Sequence, residues 1–128
     1  MTIDPSHWLH RLTPDDWMRA AIGEYEASVR ALTEKRHRQG VSLARRAAGM
    51  GLNAVLCIAP DETWGRSYME HLSAAKDAPS VPAPVREAIQ SLVDASLDAP
   101  ALVRLGPGDP GAAKAALTVL EWCASRIG

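Results

Sequence analysis

Phenylalanine is absent from the 128 residues, and aromatic side chains of every kind make up only 5%. β-Branched residues are sparse beside abundant alanine and leucine, a composition that disfavours sheets and leaves helices as the expected structure. The two cysteines, Cys57 and Cys123, are too few for a disulfide framework. Both fall beside apolar stripes in separate helical segments, so both are expected to be reduced core residues in a cytoplasmic protein. Charge of one sign is lacking too: a formal net charge of −1 and a pI near 6.4 exclude nucleic-acid binding driven by the field of the whole protein. No apolar run approaches the roughly 18 uninterrupted residues of a membrane span, and the first residues, MTIDPSHWLHRL, lack the basic start and apolar stretch of an export signal. His7 and His10 are three apart but lack a nearby third ligand, and no Ser-His-Asp order, paired carboxylates or Cys/His cluster stands out. No metal and no cofactor are expected.

What is present is helical periodicity. With 47% hydrophobic residues the chain is long enough to bury one core, and 1–128 is expected to be a single domain with residues 1–13 as an N-terminal arm packed by Trp8. Thr13 followed by Pro14, Asp15 and Asp16 reads as a helix start. From there Met18, Ala21, Ile22, Tyr25, Val29 and Leu32 form an apolar stripe, and the basic end Lys35 to Arg38 is expected to stop near Gly40. A short turn makes the next helix an antiparallel neighbour.

The centre of the chain is Ser42 to His71. Ala44, Ala47, Ala48, Gly51, Val55 and Ile58 recur at three- and four-residue steps and form a buried face on which another helix can approach closely. Asn53, set among apolar neighbours, is expected to have a specific hydrogen-bond partner. Pro60 ends this helix near Ala59, Asp61 or Thr63 can cap a new start, and the aromatic knot Trp64-Gly65-Arg66-Ser67-Tyr68 follows. Between Arg30 and Arg46 six basic residues face one acidic residue, Glu34, so charge is concentrated where the first two helices meet; the usual reading is a solvated helix end favoured by its dipole, the other a local basic patch.

Farther on, Lys76 to Pro84 breaks the chain, and an amphipathic helix carries Val85, Ile89, Leu92, Val93 and Ser96 on one side and ends at Pro100. The run Gly106 to Gly111 lacks the Lys-Ser/Thr of a phosphate-binding loop and reads as a connector capped by Asp109. The last helix is expected to bury Ala113, Ala116, Leu117, Leu120, Ala124 and Ile127, with Trp122 pointing away toward an intermolecular contact. The fold class expected is all-α: an up-and-down bundle of four long helices with one short helix inserted after the second.

The long first helix, the segment SLARRAAGMGLNAVL from Ser42 to Leu56, and the pair His71-Leu72 leading into another helix together resemble the HEPN domains. These are small helical bundles found beside nucleotidyltransferases or in defence and toxin systems. The resemblance implies a homodimer and a partner such as a nucleotidyltransferase. In the RNase members of the family an Arg followed four to six residues later by His cleaves RNA without metal across a dimer, and this chain offers Arg66-Ser-Tyr-Met-Glu-His71. A histidine can move the 2′-hydroxyl proton near neutral pH while an arginine stabilises charge on phosphate.

Two functions are therefore expected from the letters. The preferred one is a noncatalytic HEPN-like interaction or small-ligand-binding module that self-associates, with Arg38, Arg45, Arg46, Asn53, Trp64 and Tyr68 as binding residues. The alternative is a metal-independent RNase with Arg66 and His71 as its catalytic pair and the Arg36 to Arg46 surface holding phosphate. Under the first, Arg66 and Glu70 form an exposed pair four residues apart, and His71, beside Tyr68 and Leu72, hydrogen-bonds within the bundle.

Overall fold

Thr13 opens the first helix as its sequence suggests: its hydroxyl accepts the Asp16 N–H at 3.1 Å, and Pro14, Asp15 and Asp16 fill the first turn of α1, Pro14–Thr33. A computed structural model of the chain describes residues 12–95 and 111–127. The N-terminal arm, with His7, Trp8 and His10, and the connector with Pro100 and Asp109 lie outside the described residues.

The end of α1 departs from expectation. The stop is at Lys35, a non-glycine residue with φ of 63°, and not at Gly40. The Lys35 N–H donates to the Leu32 carbonyl at 3.0 Å and the Arg36 N–H to the Ala31 carbonyl at 2.8 Å, the paired closure of a helix that ends in a left-handed residue. Gly40 instead lies inside α2, His37–Ile58, because Leu32 packs where its side chain would be: the Leu32 Cδ2 lies 2.5 Å from the position of a Cβ there. Ser28, buried on α1, donates its hydroxyl to the Gly40 carbonyl at 2.7 Å. Toward the middle of both helices Glu24 and Arg46 approach to 3.6 Å, so residues descending α1 meet residues ascending α2 and the two run antiparallel.

α2 is the element on which the others converge, and it touches every other helix described. Three glycines along it admit three neighbours: Gly40 admits Leu32 of α1, Gly49 the Tyr68 ring of α3 (Tyr68–Ala75), and Gly51 the Leu120 and Cys123 side chains of α5 (Gly111–Ile127). Ala44, Ala47 and Ala48 are fully buried, so the small-residue face is a close seam as expected. By length and composition α2 is the described helix that could cross a membrane, but 67% of its most apolar window is buried inside the protein. Ile58 sits past the seam and is 52% exposed, a correction to its assignment to the buried face. The helix ends there, with Ala59 closing it through an N–H bond to the Val55 carbonyl at 2.8 Å.

The remaining elements are a 3-10 turn, Glu62–Trp64, then α3, Tyr68–Ala75, α4, Ala83–Asp94, and α5, Gly111–Ile127. The chain is all-helical, with five α-helices and no strand among the described residues. α4 buries Val85, Ile89 and Leu92 as its periodicity predicts, but ends at Asp94, ahead of Pro100. Its last carbonyls are closed by Arg45 of α2, which donates from Nε to the Leu92 oxygen at 2.8 Å and from Nη2 to the Ala95 oxygen at 2.5 Å.

α5 is turned from its expected orientation. Ala113, Ala116 and Leu120 are buried as predicted, joined by Ala115, Val119 and Cys123, whereas Leu117 and Ala124 are exposed. The helix carries a polar stripe, Lys114, Thr118, Glu121 and Ser125, and the buried residues lie opposite to it, with Leu117 and Ala124 beside the stripe. On the buried side Leu120 and Cys123 meet Gly51 of α2. On α1, Ile22 is likewise exposed, and Trp17, Ser28 and Ala31 are buried beside Met18, Ala21 and Leu32.

Candidate functional site

The short segment between α2 and α3 sets the positions of Arg66 and His71. Gly65 has φ of 74°, and the Glu70 side chain fills the place where a Cβ would stand, so the chain can turn there and L residues are strained. Ser67 then caps α3: its hydroxyl accepts the Glu70 N–H at 3.0 Å, and the Glu70 carboxylate accepts the Ser67 N–H at 3.2 Å. This is a reciprocal capping box. The Ser67 bonds, side chain first, hold the Glu70 carboxyl below its ordinary range. Glu70 is thus turned to the backbone of its own helix start, where an exposed pair with Arg66 was expected.

His71, one position on, is turned fully inward with 0% exposure. Its Nδ1 lies 2.8 Å from the Trp64 carbonyl oxygen. A carbonyl only accepts, so Nδ1 carries the proton of that bond. Burial pushes the imidazole pKa below its ordinary value, against the smaller opposing effects of the Trp64 bond and the Glu70 charge. The bond within the bundle expected for His71 is therefore present, and its consequence is to hold Trp64. Arg66 is exposed ahead of α3 while His71 points into the core, so the two side chains share no surface in one molecule.

The basic residues are mostly committed elsewhere. Arg45, expected as a binding residue, reaches across to the end of α4. Arg46 is paired with Glu24, and Arg36 with Glu34 and Gln39. Arg38 lies exposed in the first turn of α2. Tyr68 packs against Gly49. Asn53, one turn beyond Gly49 on the same side of α2, is completely buried, yet neither its Nδ2 nor its Oδ1 has a hydrogen-bond partner among the described residues. The partner expected for it is not there.

What the fold brings together is a pair of clefts on either side of Trp64, sharing Asp61, Trp64 and Ser80. One, of about 560 Å³, is open and runs toward Ala74, Ala78 and Pro79. The other, of about 270 Å³, is more enclosed and lies between the end of α2 (Val55, Leu56, Ala59), the Pro60-Asp61 turn, Trp64, and Trp122 and Arg126 of α5. Trp64 is 9% exposed, and Trp122 is half-buried and packed against the core. Trp122 was expected to point away from its helix's buried stripe, and it instead walls this cleft. Asp61 is held in place by its Oδ1, which accepts the Thr63 N–H at 2.9 Å and the Thr63 hydroxyl at 2.5 Å.

Sequence reasoning identified Trp64 but missed Asp61, Trp122 and Arg126 as its companions. The available signal was the four-residue spacing of Trp122 and Arg126, which sets both on one side of α5. Among the described residues no three His, Cys, Asp or Glu side chains gather as a metal site. Neither cysteine is in a disulfide, and burial raises both thiols, Cys123 to about 12. Comparison with protein-family models, with curated proteins and with solved structures gives no match to this chain.

Proposed function

We propose that this chain is a noncatalytic, HEPN-like helical module of the up-and-down bundle type, with α3 as the short inserted helix, that takes a small ligand in the cleft between Trp64 and Trp122. The observation that carries this is the use made of His71. Its imidazole is spent inside the protein on the Trp64 carbonyl, fixing one wall of an aromatic cleft, at 0% exposure. A general acid or base must come within hydrogen-bond reach of the proton it moves, and that burial keeps His71 from a 2′-hydroxyl unless α3 opens. The RNase alternative with Arg66 and His71 is correspondingly less supported.

A half-enclosed space with apolar walls and a few polar groups at its rim is the usual form of a small-ligand site, and about 270 Å³ places it just below the range for drug-sized ligands. Self-association as a homodimer is part of the same proposal, drawing on apolar side chains left at the surface, Ile22, Ile58, Met69 and Leu117. Residence in the cytoplasm and a protein partner such as a nucleotidyltransferase complete it.

The test is nitrogen-15 NMR of the intact chain titrated with 2-phenylethanol, an uncharged aromatic probe. Shifts of the Trp64 and Trp122 indole N–H signals, abolished for Trp122 in Trp64→Ala, are the expected result. Signals at both left unmoved by this probe and by its charged analogues would remove the ligand site. Light scattering over a concentration series decides the dimer, and a mixed RNA pool left intact in chelator is expected of a noncatalytic protein.

A further inference from the structure

The smaller cleft is lined by two side chains of opposite charge. Asp61 and Arg126 both line it, and among the described residues neither forms an ion pair with the other or with a third charge. The acidic side chain is reinforced by the backbone. α2 ends at this cleft with no basic residue in its last turn, so its final carbonyls present the negative end of the helix beside Asp61. Arg126 stands in the last turn of α5. The indoles of Trp64 and Trp122 line the same cleft.

We infer that this cleft takes a free α-amino acid with an aromatic side chain, its carboxylate on Arg126, its ammonium on Asp61 and the carboxyl end of α2, and its ring between the two tryptophans. The inference rests on the small-ligand proposal above and names the chemistry of the ligand. An arginine presents a fork of N–H donors that matches a carboxylate, and the Oδ2 of Asp61 is left for an ammonium because Oδ1 is occupied by Thr63. A ligand with one charge alone meets repulsion from one of the two side chains and leaves that one unanswered. A nucleotide's several negative charges are opposed by Asp61 and the α2 terminus. A volume of about 270 Å³ suits one amino acid and not a peptide.

The experiment follows the four tryptophan indole signals of the nitrogen-15-labelled intact chain against four probes: L-phenylalanine, 2-phenylethylamine, 3-phenylpropanoate and 2-phenylethanol. L-Phenylalanine is expected to shift Trp64 and Trp122 and leave Trp17 in place, with an affinity at least about tenfold above that of the other three. Arg126→Gln is expected to bring L-phenylalanine down to the level of 2-phenylethylamine. Asp61→Asn, which retains the Oδ1 acceptor for Thr63, is expected to bring it to the level of 3-phenylpropanoate. The amide spectrum of each variant reports that the fold is kept. If 2-phenylethanol shifts Trp64 and Trp122 but L-phenylalanine binds no more tightly, or if neither charge substitution weakens it, the amino-acid inference is overturned and the small-ligand proposal stands. If none of the four probes moves either signal, both fall.

Discussion

Arg45 of α2 closes the C-terminal end of α4 at Leu92: its Nε donates to the Leu92 carbonyl at 2.8 Å, and its Nη2 reaches the Val93 and Ala95 carbonyls at 3.4 and 2.5 Å. α4 has no basic residue in its own last turn, so the cation that complements its negative end comes from another helix. Hydrogen bonds from a charged group contribute roughly 1.5–3 kcal/mol, and loss of the donor leaves carbonyls at a partly buried helix end. Arg45→Met, which retains most of the aliphatic stem, is expected to lower stability by about 1–3 kcal/mol in urea titrations and to speed amide exchange in the last turn of α4 first. Unchanged exchange there would show that the end of α4 is held by something else.

The glycines of α1 and α2 give a graded test of the central seam. Around Gly23 nothing lies within 4 Å of an added Cβ, so Gly23→Ala should gain the helix-propensity difference of about 1 kcal/mol. A Cβ at Gly49 meets the Cβ and ring of Tyr68, which belong to the start of α3 and cannot swing aside, and overpacking costs about 1–3 kcal/mol. Gly51→Ala falls between, because the nearest atom, at 2.6 Å, is the end of the Leu120 side chain. The expected order of thermal midpoints is Gly23→Ala above wild type, with Gly51→Ala above Gly49→Ala. A Gly49→Ala protein as stable as wild type would mean that α3 does not pack closely on α2.

Lys35 offers the converse. It holds a left-handed backbone at φ of 63° as the residue that closes α1, where an L side chain costs roughly 1–2 kcal/mol and glycine does not. Glycine also gives the unfolded chain more freedom, which offsets part of the gain. Lys35→Gly should therefore raise stability by about 0.5–1 kcal/mol, read as a higher urea midpoint with an unchanged slope.

These positions show which features the letters carry. Thr13-Pro14 and Ala59-Pro60 mark helix boundaries because their chemistry is local: a hydroxyl over a free N–H, and a ring that bars the helical geometry before it. The small-residue seam of α2 was legible for the same reason, since periodicity alone sets Ala44, Ala47 and Ala48 on one side. Gly40 misled because a glycine can serve either as a stop or as a place of close approach, and Leu32 decides which. The end of α4 depends on an arginine 47 residues earlier in the chain. The face of α5 was legible through its polar stripe, Lys114, Thr118, Glu121 and Ser125, and the expected face missed it because a set drawn through Leu117 and Ala124 runs beside that stripe and not opposite it. The cleft was visible only as Trp64, since Asp61 comes from a turn and Trp122 and Arg126 from the far end of the chain.

His71 makes stability depend on pH in a window that can be separated from the carboxylates. Burial holds its folded pKa below the ordinary 6.5, so above that value the ring is neutral in both folded and unfolded chains and imposes no penalty. As pH falls through 6.5 the unfolded chain takes up a proton that the folded chain resists, and stability is lost down to the folded pKa, with a slope of at most about 1.4 kcal/mol per pH unit. Glu70 works lower down: its folded pKa lies below 4.5, so its contribution is intact above that and is lost as pH falls further. Urea titrations at about pH 7.5 and about pH 5.5 therefore span the His71 window and stay above that of Glu70. The wild type is expected to lose stability between the two, and His71→Gln, whose amide can still donate to the Trp64 carbonyl, is expected to lose clearly less. Equal losses in both proteins would show that His71 is not held neutral in the core, and with that the inward-facing role given to it in positioning Trp64 would fail.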